Sequence, residues 1–343
     1  MSAQAGLVSI IIVNWNTRDL LIDCLQSIEE NTTDVPYEIV VLDNASADGS
    51  VDAVRSLMGN VKLIASNENL GFAAGNNRAA AEASGEFILL LNPDTVVGEN
   101  AIREMRAFLT ENPDAGAVGC RLLNADGSTQ ESFWMRFPSI WWLFLKAFYL
   151  DKLTRRFSGL RGAGRGAPFR VAHLLGACIM MRAETFRRLG GFDESYFLYL
   201  EETHLCYRLA RSGYGIYYLP ATSIVHLGQQ SSNQAAEWAN AQLYASACRF
   251  LEEQHPGSGL RTCALRVVLI LTALVRLLLW SLRFAVGRPE PRPREEDAVG
   301  LLASAVGREE DSDRGRVGWK GGSRWWNGLL NELETCRGLL SSR

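Results

Sequence analysis

Three short segments carry the side chains that are best suited to chemistry. Asp94 lies three residues past the end of the apolar run 87–91, the adjacent residues Glu201 and Glu202 end an aromatic run, and His226 follows another apolar run. A hard cation such as Mg²⁺ or Mn²⁺ takes one or two protein carboxylates, and phosphate oxygens and water complete its shell. Asp94 is therefore a candidate metal ligand, and His226 is a candidate further contact to the cation or to a phosphate group.

The Glu201–Glu202 pair and His226 each allow two interpretations. Glutamate is favoured in the first turn of a helix by the helix dipole, so the pair could simply stabilise a helix start. Alternatively, one of the two glutamates is a general base that takes the proton of an attacking hydroxyl group. A histidine after a strand is commonly an ordinary structural residue, and we weigh that interpretation beside metal binding.

The elements that must position these side chains alternate in the first hundred residues. Continuous apolar, β-branched runs predict strands that are buried on both faces, and apolar residues at helical spacing separate them. The predicted strands are residues 7–13, 37–42, 61–65 and 87–91, and the predicted helices are residues 19–30, 51–58 and 76–83. This alternation predicts an α/β fold with a mostly parallel central sheet flanked by helices.

Polar clusters follow three of the predicted strands, at residues 14–16, 43–46 and 92–94. In open α/β sheets, ligands bind beyond the carboxyl ends of the strands. Each cluster by itself is also typical of a turn, since Asn, Asp, Ser and Pro favour turns. Three such clusters in sequence favour a single cleft that is lined by several loops.

Composition excludes some classes of protein. The chain has 343 residues, of which 47% are hydrophobic and 21% charged, as is usual for a globular protein. The net charge of −3 argues against nucleic acid as a partner, which normally requires a basic face. The seven cysteines show no metal-ligand spacing, which predicts reduced thiols in the cytoplasm. The N-terminus is predicted to be a strand rather than a signal peptide.

Two later segments have the composition of membrane-contacting helices. Residues 132–157 mix aromatic with basic side chains, although a helix that covers the core is an equally good interpretation. Residues 265–286 are apolar but contain Arg266, Arg276 and Arg283, which fall within one sector of a helix. A spanning helix needs about 20 predominantly apolar residues, so we expect this segment to lie on a membrane surface.

Six ordered segments resemble family-2 glycosyltransferases, and in particular the bacterial rhamnosyltransferase-like branch. They are VSIIIVNWN, IVVLDNASADGS, NENLGFAAGNN, ILLLNPDTVV, GACIMMRAETFRRLGGFDESYFLYLEETHLCYRLARSGY and VHLGQQSS. The resemblance implies a GT-A fold, in which a Rossmann-like donor half joins an acceptor half. The resemblance covers about residues 7–232 and implies boundaries of 1–97 for the nucleotide-sugar half and 98–232 for the acceptor half. Composition predicts a helical extension at 233–287 that could contact a membrane, and a linker with an amphipathic tail at 288–343.

The resemblance also implies roles for individual residues. The donor would be bound by Val13, Asn14, Asn16, Asp43, Asn44, Asn69, Gly71, Asn77 and Asn92. Within this set, Asp43 would hydrogen-bond the pyrimidine ring, and Gly71 would let the backbone approach the ligand. Asn92 and Asp94 occupy the family's DxD position, in which only Asp94 is a carboxylate and is the implied metal ligand. His226 matches a histidine that reaches the metal or the diphosphate.

The motif that contains the catalytic base departs from the family's pattern. Glu202 aligns with the base, usually an aspartate within Glu-Asp-x-Asp, and Glu201 precedes it. His204 stands where the family has the last aspartate, which would affect acceptor choice or activity. We regard Glu201 and His204 as acceptor-side candidates.

The implied function is metal-dependent, inverting transfer of a sugar from a nucleotide diphosphate to a hydroxyl group of a glycan or lipid-linked acceptor in cell-surface polysaccharide synthesis. The branch favours dTDP-rhamnose as donor and Mg²⁺ or Mn²⁺ as cofactor. The expected location is cytoplasmic, peripheral at the inner face of the cytoplasmic membrane. The alternative is a catalytically impaired sugar- or lipid-binding scaffold of the same fold.

Two other classes of enzyme are disfavoured. A processive polysaccharide synthase would carry a Gln-x-x-Arg-Trp motif, which the chain lacks. A nucleotidyltransferase would have a Gly-rich, Arg-containing loop after the first strand, and no such loop follows it.

Overall fold

The computed structural model describes residues 3–57, 59–147, 166–228 and 236–254, together with residue 267. Within this part of the chain the elements are β1 (Gln4–Asn14), α1 (Arg18–Asn31), β2 (Tyr37–Asp43), α2 (Ser50–Leu57), β3 (Val61–Ala65), α3 (Gly71–Ala81), β4 (Gly85–Leu91), β5 (Thr95–Val96), α4 (Ala101–Glu111), β6 (Ala115–Leu123), β7 (Phe133–Trp134), α5 (Ile140–Ala147), β8 (Phe169–Arg170), β9 (His173–Leu174), β10 (Cys178–Arg182), α6 (Ala183–Arg188), α7 (Glu201–Arg211), β11 (Gly215–His226) and α8 (Ala236–Gln254).

One large sheet forms the centre of the molecule, with the strand order β3-β2-β1-β4-β10-β6-β11-β5 and with β8 paired to β11. Strands β7 and β9 form a separate pair. Residues 10–12 of β1 are fully buried because helices cover both faces of the sheet. The predicted α/β architecture with a large central sheet is confirmed.

The two halves of the sheet differ in strand direction. Strands β1 to β4 pair in parallel, as the alternation of strands and helices predicts. Strand β10 then runs antiparallel to both β4 and β6, while β6 and β11 are parallel. The sheet is therefore parallel from β3 to β4 and mixed from β10 onwards, because β10 runs opposite to both of its neighbours.

Two apolar layers cover the two faces of the sheet. One layer contains Leu21 and Leu25 of α1 with Met105 of α4. The other contains Phe186 of α6 and Leu205 of α7. Full burial of side chains of this size contributes about 1.5–3 kcal/mol each, so these helices are held to the sheet mainly by apolar packing.

A third apolar cluster joins α5 and α8 to the chain that precedes α7. Its fully buried members include Leu143 of α5, Tyr196, and Phe250 of α8. On α5, Trp141 is 66% exposed, whereas Leu143 points into the cluster. Helix α5 therefore covers the core, as one interpretation of residues 132–157 predicts, and it also presents an aromatic side chain to solvent.

The remaining membrane-related predictions fall largely outside the described residues. These are residues 148–157, nearly all of 265–286, and the tail 288–343. Among the helices that the structure describes, none combines the length and the apolar character that crossing a membrane requires.

Candidate functional site

The carboxyl ends of β1 and β2 bring two of the predicted donor-binding residues together. Asn14 pairs in register with Asp43, and its Nδ2 donates to Asp43 Oδ2 at 2.8 Å. The other carboxylate oxygen of Asp43 accepts the backbone N–H of Ser46 at 2.9 Å. Asp43 is only 1% exposed. Asp43 therefore stabilises the conformation of the loop 44–46, in addition to any contact with a nucleotide.

The loop before α3 is held to the end of β2 by Asn44. Its Nδ2 donates to the Gly71 carbonyl at 3.0 Å, and its Oδ1 accepts the N–H of Leu70 at 3.2 Å. Asn69 Oδ1 accepts the Gly71 N–H at 2.9 Å. The structure thus joins Asn44, Asn69 and Gly71, three of the predicted donor-binding residues, in one turn.

A close contact within the protein itself requires a glycine at position 71. Gly71 has φ +80°, and a Cβ there would lie 2.7 Å from the carbonyl oxygen of Phe197. The same oxygen accepts the N–H of Phe72 at 2.9 Å. The protein's own backbone therefore already excludes a side chain at this position, and the predicted approach to a ligand stays a prediction. This contact also starts α3 at Gly71, five residues before the predicted start at Asn76.

Three other predicted donor residues have mainly structural contacts. The Oδ1 of Asn16, a residue in the left-handed region with φ 51°, accepts the Ala47 N–H at 2.8 Å. Val13 packs so closely on α3 that a Cβ at Gly75 would lie 3.0 Å from its Cγ1. The amide of Asn77 exchanges hydrogen bonds with the backbone of Phe192 at 2.8 and 2.9 Å. Asn77 therefore ties α3 to the segment before α7, instead of turning its side chain to the strand ends.

The predicted metal residues meet at the end of β11. His226 pairs with Thr95 in the sheet, which places its Nε2 3.4 Å from Asp94 Oδ1. The Nδ2 of Asn92 lies 3.5 Å from the same nitrogen. The N–H of Leu227 donates to the Asp94 carbonyl at 2.9 Å, which locks the two segments together.

Gln130, which no sequence motif singles out, contacts the imidazole. Its Oε1 lies 2.7 Å from His226 Nδ1, and the tautomer with a proton on Nδ1 satisfies this contact and presents the lone pair of Nε2 towards Asp94. Gln130 is held in turn by its N–H, which donates to the Leu122 carbonyl at 2.8 Å.

This group fits a divalent cation. Two ligands at right angles around a cation of this size are about 3 Å apart, close to the Asp94–His226 separation. Asn92 Oδ1 is buried and has no hydrogen-bond partner among the described residues, so it is a further free acceptor in the same loop. The arrangement could hold Mg²⁺ or Mn²⁺ through Asp94 and His226.

The two glutamates start α7 after an unusual stretch of backbone. Tyr199 and Leu200 both have φ 65°, in the left-handed region. This conformation costs roughly 1–2 kcal/mol per residue without glycine, and such strain clusters at functional sites. Glu201 and Glu202 are both buried. Stabilisation of a helix dipole does not require burial of two carboxyl groups, so the burial favours a chemical role over simple capping.

Burial raises the pKa of both carboxyl groups. The rise is larger for Glu201, whose pKa is held well above its ordinary value by burial and then by the charge of Glu202. The Glu202 carboxylate accepts hydrogen bonds, including one from Thr203 Oγ1 at 3.4 Å, which partly offset its burial. Glu202 is thus the member of the pair that ionises first, and a raised pKa suits a general base near neutral pH.

A short segment before β10 separates the metal residues from the glutamates. The N–H of Asn92 donates to the Ala177 carbonyl at 3.0 Å. A Cβ at the adjacent Gly176 would lie 3.5 Å from both Cβ and Cγ of Glu202. The loop that carries Asp94 and the first turn of α7 therefore flank the same two residues at one edge of the sheet.

His204 faces another direction. Two residues along a helix correspond to a rotation of about 200°, so His204 and Glu202 lie on nearly opposite sides of α7. His204 Nε2 lies 3.1 Å from Glu253 Oε2 on α8, and Nδ1 lies 3.8 Å from Asp193 Oδ2. Burial lowers the pKa of His204 to about 4. Its contacts place it against α8, and they do not support the predicted acceptor-side position.

Comparison with known proteins identifies the family of the chain. The model of "Glycosyl transferase family 2" matches residues 9–189. The chain is 27% identical over 254 residues to the N-acetylglucosaminyl-diphospho-decaprenol L-rhamnosyltransferase of Mycobacterium tuberculosis, with 66% of this chain and 78% of that protein covered. It is 26% identical over 227 residues to rhamnosyltransferase WbbL of Escherichia coli, with 64% of this chain and 83% of WbbL covered.

A solved structure supports the fold. The mannosyltransferase PcManGT of Pyrobaculum calidifontis, in complex with GDP-Man and Mn²⁺, superposes with a TM-score of 0.54 at 20% identity. The superposition covers 87% of this chain and 86% of that chain. The predicted GT-A fold and the resemblance to rhamnosyltransferase-like relatives are confirmed. The chain belongs to glycosyl transferase family 2 and is a glycosyltransferase of the GT-A fold.

Proposed function

We propose that this glycosyltransferase is metal-dependent and inverting, and that it transfers rhamnose from dTDP-rhamnose to a hydroxyl group of a lipid-linked glycan acceptor. The observation that carries the proposal is the placement of the Asp94–His226 pair and of the buried Glu202 on either side of residues 176–177. The donor sugar rests on the names of two relatives, which are rhamnosyltransferases.

The donor half supplies the nucleotide site. The strand-end loops at Asn14, Asp43 and Asn69 are rigid because their side chains bond to neighbouring backbone or to each other. When bound at Asp94 and His226, Mg²⁺ or Mn²⁺ would neutralise the charge that grows on the departing diphosphate. Rigid loops keep the donor's anomeric carbon in one place, which lowers the entropic part of the barrier.

Glu202 removes the proton from the acceptor hydroxyl. Its ionised carboxylate accepts that proton while the hydroxyl oxygen forms a bond to the anomeric carbon, and the bond from that carbon to the diphosphate breaks. Glu201, with the higher pKa, keeps its proton and so limits the pair to one negative charge. A single displacement from the opposite face inverts the anomeric centre and requires no covalent nucleophile.

The acceptor class and the location are further parts of the proposal. The Mycobacterium relative acts on an acceptor that its name describes as a decaprenol diphosphate. Trp141 on α5 is 66% exposed and stacks on Phe144 with ring centroids 5.2 Å apart. Aromatic side chains of this kind favour the boundary between headgroups and acyl chains. We infer peripheral contact with the cytoplasmic face of the membrane through residues 132–157 and 265–286.

A transfer assay tests the proposal. The protein is incubated with dTDP-rhamnose, UDP-sugars or GDP-sugars, a prenyl-diphosphate-linked acceptor and Mn²⁺, and the anomeric configuration of the product is read by NMR. We expect transfer from dTDP-rhamnose with inversion, and none in excess chelator. Transfer with retention, or full activity without divalent metal, would refute the mechanism. Donor binding without any transfer or hydrolysis would favour the catalytically impaired scaffold.

A further inference from the structure

We propose that Asp193, His204 and Glu253 form a second divalent-metal site, of the imidazole–carboxylate type that takes Zn²⁺, which fastens α8 to α7. One ligand atom from each of the three residues lies within 4.8 Å of the others. The site is separate from Asp94 and His226, and it does not depend on the proposed reaction.

The ligand types and spacing suit a transition metal. One imidazole and two carboxylates are ligands that Zn²⁺ commonly accepts, with a further position for water. Tetrahedral ligands of Zn²⁺ are about 3.4 Å apart. His204 Nε2 is 3.1 Å from Glu253 Oε2, and Nδ1 is 3.8 Å from Asp193 Oδ2. The two carboxylates face different ring nitrogens, so a common ion requires one of these nitrogens to turn towards both carboxylates, across ligand atoms that already lie within 4.8 Å of one another.

An unpartnered polar atom provides a second, independent observation. His204 is 8% exposed, and its Nδ1 is buried with no hydrogen-bond partner in the described part of the chain. In the tautomer protonated at Nε2, Nδ1 turns a lone pair towards the Asp193 carboxylate, and Glu253 joins the same ion once it gives up its contact with Nε2. Two acceptors facing each other in a buried position repel, and a shared cation would convert that repulsion into attraction.

The surrounding groups resemble the outer shell of a metal site. The N–H and Oγ of Ser195 donate to Asp193 Oδ1 at 3.0 and 2.6 Å, which leaves Oδ2 directed at His204. The hydroxyl of Tyr196 donates to Glu253 Oε2 at 3.1 Å. Outer-shell hydrogen bonds of this kind orient ligands and increase metal affinity.

A neighbouring guanidinium narrows the choice of metal. Arg208 donates to the carbonyl oxygens of Leu189 and Gly191, so its hydrogen-bonding groups are engaged with the backbone. Its charge nevertheless acts on Asp193. A positive charge nearby disfavours Mg²⁺ and Ca²⁺, which are held by charge alone. It is tolerated better by a metal that gains a strong bond to imidazole, and for this reason we specify Zn²⁺.

The site would add to the apolar packing and the hydrogen bonds, such as that from Tyr196 to Glu253, that already join α8 to α7 and the segment before it. Asp193 and His204 belong to the segment that leads into and forms α7, and Glu253 lies in the last turn of α8. A shared ion would hold α8 over the third apolar cluster and would stiffen the first turn of α7. We expect Zn²⁺ to raise the melting temperature of the full chain.

Titration calorimetry with Zn²⁺ at pH 7.5, on metal-stripped full-length protein, tests the site. An Asp94→Asn background removes the other proposed metal site, so the two can be counted separately. We expect one Zn²⁺ per chain in that background, with at least a tenfold loss of affinity on adding His204→Gln or Glu253→Gln. Glu252→Gln, a neighbouring exposed residue on α8, is the matched control and should bind as its parent does.

Cobalt substitution gives a second readout. Co²⁺ at the site should produce visible d–d absorption that Zn²⁺ displaces and that the Glu253→Gln variant lacks. Glu253 is partly exposed, so its variant should fold even if His204→Gln does not. Equal binding by the Asp94→Asn protein with and without Glu253→Gln, or no binding in the Asp94→Asn background, would overturn the proposal and leave the mechanism at Asp94 untouched.

Discussion

Asp94 and Glu202 are carboxylates of similar burial, 6% and 9% exposed, whose neighbours differ in kind. Asp94 has an imidazole lone pair 3.4 Å away and a free amide oxygen in its own loop. Glu202 has a second carboxyl group beside it and a threonine hydroxyl at 3.4 Å. A cation can pair with the acceptor groups around Asp94, whereas a proton can neutralise one of the two adjacent carboxyl groups at Glu202.

This difference shows that burial alone does not fix the chemistry of a carboxylate. A lone pair that faces Asp94 favours a shared metal, because both groups are acceptors. A neighbouring acid that keeps its own proton leaves Glu202 as the single negative charge of its pair. Substitutions at these residues and their neighbours either remove or measure this difference between a metal-binding and a proton-accepting carboxylate.

The largest expected effect is that of Glu202→Gln. A general base contributes about 10²–10⁴-fold to the rate, so we expect kcat to fall by that factor while the affinity for the nucleotide sugar stays within about twofold. Single-turnover transfer and calorimetric donor binding measure the two quantities. Glu111→Gln, an exposed glutamate on α4, is the matched control. Normal turnover in Glu202→Gln would remove Glu202 from the role of base.

Asp94→Asn is expected to lower both the rate and the binding of the donor, unlike Glu202→Gln. Loss of one group that stabilises a leaving group costs about 10²–10³-fold in rate, and here binding of the donor with Mn²⁺ should weaken as well. Saturating Mn²⁺ should restore only part of the activity. If Asp94→Asn left the Mn²⁺ requirement unchanged, the cation would have to be held elsewhere.

A smaller effect is expected for Gln130, which acts through His226. Gln130→Ala should raise the Mn²⁺ concentration for half-maximal activity by about 10–100-fold, with near-normal kcat at saturating metal. Gln130→Glu keeps an acceptor oxygen on His226 Nδ1 and should retain most of the affinity. A loss of kcat that excess Mn²⁺ does not restore would mean that Gln130 is needed for folding, not for orienting the imidazole.

The donor half could be predicted from the sequence because local patterns determine it. Strands β1, β2 and β4 are continuous apolar runs, and each is followed directly by the polar residues that meet at the sheet edge. The sequence also singles out Asp94 as a candidate metal ligand and Glu202 as a candidate base, since each stands at or just after the end of a recognisable run; both assignments stay predictions.

The acceptor half could not be predicted in the same detail because distant contacts determine it. Gln130 lies 96 residues from His226, and only the fold brings its amide to the imidazole. The same holds for Gly71 in the first half of the chain, where a Cβ would lie 2.7 Å from the distant carbonyl oxygen of Phe197. The direction of β10 follows from its place between β4 and β6, and no periodicity within residues 178–182 encodes it. His204 points at α8 because its helical position, not its motif, sets its direction.

The smallest expected effect concerns stability and the pH dependence of the Glu201–Glu202 pair. Burial holds the pKa of Glu201 above its ordinary value of 4.5, so the folded state binds this proton more tightly than the unfolded state. Stability should therefore fall as pH rises above about 4.5 towards the folded-state pKa. Glu201→Gln removes this loss. We therefore expect the variant to be more stable than wild type at pH 8 and equal to it near pH 4.5.

Urea unfolding of both proteins from pH 4.5 to 8 measures that difference, with Glu111→Gln as a control whose offset should not change with pH. A constant offset for Glu201→Gln would mean that the variant alters packing and not protonation. A destabilised variant at pH 8 would mean that Glu201 is ionised in the folded protein. In that case both glutamates would be charged. Only the imidazole of His226 beside Asp94 would then distinguish the neighbours of Asp94 from those of Glu202.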